Sequence, residues 1–120
     1  MSDGERRPLR SLTIRWSLAG APPGVEDELA AYVETTSHAR FTGMPGLCWK
    51  TWRVRPGEWF EGHYVFATDG ARAEFEQAFR DTVAEAPGTR IVGSEPVLVE
   101  ACDVVAVAEG WEGFAPTPRA

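Results

Sequence analysis

Lys50 is the only lysine in the chain, and it stands in a short aromatic run between Trp49 and Trp52. An ammonium beside indole rings can make a cation–π contact or hold an anionic oxygen of a substrate. The plainer reading is an aliphatic stem that covers Trp52 and ends in water. His63 follows in the segment Phe60-Glu61-Gly62-His63-Tyr64-Val65-Phe66. An imidazole there can take a proton from a phenol, because its ordinary pKa lies near neutrality. Glu61 shares the strand face of His63 at a spacing of two and could orient it, or could be a solvated charge. Lys50 and His63 are therefore the candidate catalytic residues. Trp16, Tyr32, Trp49, Trp52 and Tyr64 read first as core or interface residues, and second as flat surfaces on which a planar ligand could stack. His38 closes the first helix, where its charge suits the negative end of the dipole, and the loop after it could carry it to a cavity mouth. Arg15 and Arg53 could each meet a carboxylate on a partner subunit or on a ligand.

Composition narrows the chemistry further. Eighteen acidic and 12 basic side chains give a net charge of −6, with a pI near 4.9, and such a surface repels a phosphate backbone. Nucleic acid is not an expected partner. No apolar run reaches a membrane-spanning length, and Met1 to Arg7 has no apolar signal core, so a cytoplasmic protein is expected. Cys48 and Cys102 each lie in an apolar run and read as buried thiols. Neither has a second ligand at metal-site spacing, and the two histidines are far apart in sequence. No metal and no cofactor are expected.

These residues need elements to position them. Leu12 to Leu18 alternates apolar and polar residues, the period of a half-buried strand. Gly20 to Gly24 breaks it, and Val25 to about Ser37 reads as a helix with Val25, Leu29, Tyr32, Val33 and Thr36 on one stripe. Ala39 to Gly46 is expected to be a loop with Phe41 and Met44 turned inward. Strands follow over Leu47 to about Val54 and Trp59 to about Ala67, joined by Arg55-Pro56-Gly57-Glu58. Helix two is expected over roughly Ala71 to Ala84, burying Phe75, Ala78, Phe79, Thr82 and Val83, with Pro87-Gly88 ending it. A last β region is expected from Ile91 to about Val107, interrupted near Gly93 to Pro96. The organisation is a leader over residues 1–10, one domain over 11–108, and a tail over 109–120 in which Trp111 and Phe114 dock on something.

Strand, helix, strand, strand, helix, strand is the split βαβ order. It implies an α+β, ferredoxin-like fold: a four-stranded antiparallel sheet with both helices on one face. The helices cover one face only, while strands two, three and four read as apolar on both. A twofold homodimer with its sheets packed face to face is the expected remedy.

Pro45-Gly46-Leu47, Trp49-Lys50, Trp52, Gly62, Tyr64 and Phe66, then Asp69 before a helix, together resemble the YdhR-like putative monooxygenases. The layout of Trp16-Ser17-Leu18 before a Gly/Pro turn and helix fits as well, and the likeness runs from about Thr13 to Asp103. That group lies in the dimeric α+β barrel superfamily with the antibiotic-biosynthesis monooxygenases. The resemblance implies a homodimeric barrel, an apolar cavity between sheet and helices, and oxidation of flat phenolic polyketides by molecular oxygen without metal or flavin. His63 stands where the family usually has an apolar residue, and the loop over Ser37 to Met44 is longer. Two other functions are kept beside this one: a non-redox cyclase or isomerase of a polyketide-type intermediate, and a protein that binds aromatic ligands without catalysis.

Overall fold

The computed structural model of the chain describes residues 10–108 and 110–112. Four strands, β1 (Ser11–Ser17), β2 (Leu47–Arg55), β3 (Trp59–Phe66) and β4 (Leu98–Cys102), form one antiparallel sheet in the order β2-β3-β1-β4. With its helices on one face, this is the ferredoxin-like α+β fold expected. The leader lies almost wholly outside the described residues, although Arg10 already pairs with Phe66 through the backbone.

Side-chain parity sets the layers. Leu12, Ile14 and Trp16 of β1 and Phe60, Tyr64 and Phe66 of β3 point toward the helices and form the core, with Leu29, Phe41 and Val92 across from them. The helical layer begins with α1 (Val25–Tyr32), continues through a π-helical stretch (Val33–Ser37) and ends with α2 (His38–Phe41). Glu26, Asp27 and Glu28 occupy the first turn of α1, where the dipole favours acids. The wider π turn rotates the apolar stripe, so Ser37 is buried and Thr36 is exposed. The helical path therefore runs on to Phe41, where a loop was expected from Ala39.

Thr68 caps α3 (Asp69–Asp81), its hydroxyl accepting from the Ala71 amide at 3.0 Å. None of the residues of α3 is fully buried; Phe75 and Phe79 instead face the space between helix and sheet. After a 3-10 turn (Val83–Glu85), Pro87 opens α4 (Pro87–Val92) at its first turn. Here proline starts a helix, since a first-turn position needs no amide donor. The expected strand from Ile91 is corrected accordingly: β4 has five residues, and Ile91 belongs to α4.

Two further expectations are corrected. A bulge between Leu47 and Trp49 takes up Cys48 and Cys102 ends β4; both cysteines are exposed rather than buried. The sheet face away from the helices is also less apolar than expected, because Glu61 and His63 of β3 and Thr51 and Arg53 of β2 join the polar face expected of β1 there. Trp111 is fully exposed and docks on nothing among the described residues; Phe114 lies outside them.

Candidate active site

Between the sheet and the helices lies a cavity of about 320 Å³, within the usual range for small-molecule sites. Phe75, Ala78 and Phe79 of α3 form its wall on the helix side. The floor is built by β2 and β3, where the register sets Lys50 opposite Tyr64 and Trp52 opposite Gly62. A Cβ on Gly62 would come within 3.2 Å of Lys50 Cε and of the Tyr64 ring. The missing side chain is what lets the lysine stem lie across the floor.

Lys50 Nζ ends among three rings, 3.5 Å from the Phe41 centroid, 4.3 Å from Tyr64 and 4.5 Å from Trp52. The ionisable residues lining the cavity are Tyr32, Arg40, Lys50 and Tyr64, and no carboxylate lines it. No acid among the described residues pairs with Lys50. Burial holds its pKa well below the usual lysine value, and the charge of Arg40 lowers it further. The rings act in the opposite sense by favouring the ammonium. Tyr64 is pushed the other way: burial raises its pKa, so its hydroxyl remains a proton donor. Arg40 is exposed and marks the mouth. In a chain of net charge −6, this is a locally cationic, carboxylate-free hollow.

Among the other candidates, Trp16, Tyr32 and Trp52 line the cavity. Trp16 uses its indole N–H to donate to Thr89 Oγ1 at 3.1 Å, and Gly88 makes room for its ring, since a Cβ there would lie 2.8 Å away. Trp16 is thus a wall with no polar tip to offer. His38 packs on Trp52 with centroids 6.0 Å apart, outside the lining. Trp49, shifted by the bulge, lies on the opposite face of the sheet.

His63 and Glu61 lie on that opposite face too. His63 Nδ1 shares a hydrogen bond with Thr13 Oγ1 at 2.9 Å, and its ring packs against Trp49 at 5.4 Å. Burial lowers its pKa, Glu61 opposes that, and Arg53 adds to the lowering. The sheet separates it from any molecule inside the cavity. Glu61 is 2% exposed and takes ion pairs from Arg15 at 2.7 Å and Arg53 at 2.6 Å. Burial raises its pKa, but the hydrogen bonds and charges of the two guanidiniums outweigh that and hold it low. The guanidiniums also cover the Trp59 ring at 4.2 and 5.1 Å. Arg15 and Arg53 therefore find their carboxylate within the chain.

Sequence reasoning passed over Arg40 as a loop residue. Its signal was the spacing of Leu29, Val33, Ser37 and Phe41, four residues apart, which extends the helix past Arg40. Among the described residues no group of three His, Cys, Asp or Glu side chains could hold a metal ion, and no helix is long and apolar enough to cross a membrane. No protein-family model matches this sequence, and no curated protein matches it.

Proposed function

We propose that this protein is a small monooxygenase-like enzyme that takes a planar phenolic or polyketide-like molecule into the cavity. The observation that carries this reading is Lys50 Nζ set among Phe41, Trp52 and Tyr64 with no carboxylate beside it. Flat rings stack on the aromatic walls, and an acidic hydroxyl meets the one amine. Lys50 in its neutral form accepts the phenolic proton, and the ammonium so formed stays against the phenolate. The electron-rich ring then passes an electron to molecular oxygen, and the radical pair recombines. Loss of water from the peroxide leaves a carbonyl, so one O2 converts the phenol and a ring C–H para to it into a quinone and releases one water. Lys50 takes the basic role first assigned to His63, which faces away. The likeness to YdhR-like and antibiotic-biosynthesis monooxygenases supports the oxygen step, and with it a homodimer through Trp49, Trp59 and Leu98 on the open face, which sedimentation would test.

A second reading rests on Tyr64. A protonated hydroxyl beside an amine gives an acid and a base in one cavity, which suffices for a non-redox cyclisation or isomerisation. An oxygen electrode with product mass spectrometry on a panel of planar polyphenols separates the two. Oxygen uptake with a product gaining one oxygen and losing two hydrogens supports the oxygenase. A rearranged product without uptake supports the isomerase. Saturable binding with no product contradicts both and leaves a ligand-binding protein.

A further inference from the structure

We propose that Lys50 is also a covalent nucleophile, and that the cavity captures planar aromatic aldehydes and ketones as imines on its Nζ. The inference rests on the cavity reading above and adds a class of ligand to it. A lysine forms imines at neutral pH when it is stripped of water and stands near another cation, because both favour the free amine. The cavity has both features. Nζ sits among Phe41, Trp52 and Tyr64, and Arg40 is the second cation. The ionisable groups facing Lys50 are Tyr32 and Arg40 from the helical layer and Tyr64 from β3, while α3 contributes none to the lining. No acid is present to fix the ammonium, and its depressed pKa is consistent with that.

The step balances without an oxidant. The Nζ lone pair attacks the carbonyl carbon, and the carbonyl oxygen takes up a proton to give a carbinolamine. Loss of one water then leaves a C=N bond: Tyr64, kept protonated by burial, passes a proton to the departing oxygen and recovers the remaining Nζ proton, so both hydrogens of the water come from the amine. The aromatic walls orient the carbonyl, and Gly62 keeps the approach across the floor open.

Lys50 is the sole lysine, so its only competitor is the N-terminal amine. The test is 2-hydroxy-1-naphthaldehyde with the intact protein at neutral pH, trapped with borohydride and read by peptide mass. One adduct is expected on the peptide holding Lys50, formed faster than on the chain in guanidinium chloride, since a lowered pKa leaves more of the amine free at neutral pH. Excess 2-naphthol should slow it, and Lys50→Arg should abolish it. If 2-naphthol quenches tryptophan fluorescence but only the N-terminus is labelled, the imine is refuted and the cavity reading stands. Labelling of Lys50 that 2-naphthol does not slow places the reaction outside the cavity and also refutes it. If neither compound binds, both readings fall.

Discussion

Replacing Lys50 with Met should separate the amine's role from that of the rings around it. Methionine fills a similar volume and keeps the apolar contacts with Phe41, Trp52 and Tyr64, so the cavity persists while its amine is lost. A hydrogen bond to a charged group is worth about 1.5–3 kcal/mol, and about 1.4 kcal/mol corresponds to tenfold in affinity. Binding of 2-naphthol should therefore weaken by about ten- to hundredfold in Lys50→Met. Its methyl ether, which stacks equally well but donates no proton, should change by less than about threefold. Quenching of Trp16 and Trp52, both in the cavity lining, reads both titrations. The same variant should gain stability at neutral pH. A lysine whose folded pKa is depressed destabilises the fold at every pH below that value, and the penalty fades as pH rises toward the unfolded value of about 10.4. Equal weakening for phenol and ether, or none for either, would refute the role given to the amine.

Glu61→Gln should lower stability by about 1–2 kcal/mol near neutrality, a figure reduced from that of a fully buried pair because Arg15 and Arg53 are 33% and 57% exposed. The carboxyl is held low in the folded state, so its contribution is full above about pH 4.3 and is lost as pH falls through the folded value. Urea titrations from acid to neutral pH should show the difference vanishing in acid; a constant gap would contradict the linkage. His63→Ala should leave 2-naphthol affinity within about twofold of the wild type, because the ring faces away from the cavity, and a tenfold loss would place it in the site. Gly88→Ala drives a methyl into the Trp16 ring and should destabilise by about 1–3 kcal/mol, read as a fall of several degrees in Tm; an unchanged Tm would show that the ring has room to move.

Much of this arrangement was legible in the residues. The alternation in β1 and β3 gave the strand faces directly and set Glu61 beside His63, and the spacing of two in β2 set Lys50 beside Trp52. Which of those faces met the helices was not readable, because β3 carries apolar residues on both. Phe60, Tyr64 and Phe66 oppose Trp59 and Val65, and only the helical layer decides between them. The bulge at Cys48 was hidden for a related reason. Parity counted straight through Leu47 to Trp52 assigns Trp49 to the face of Leu47, whereas one extra residue sends it to the other side. Arg40 escaped notice because a π turn breaks the 3.6-residue period over Val33–Ser37. Arg15 meets Glu61 from a distant strand and Arg53 meets it across the β2–β3 turn, and both pairings became visible only with the register Arg15 to Glu61 and Arg53 to Glu61.

Because the chain has a single lysine, protein grown with lysine labelled by 15N at Nζ gives one side-chain amine signal. Its pH titration by NMR measures the group on which the account turns. The midpoint should fall well below the ordinary lysine value of about 10.4, and 2-naphthol should move both the signal and the midpoint. An ordinary midpoint, untouched by 2-naphthol, would mean that the amine lies in water and that the cavity has no reactive centre.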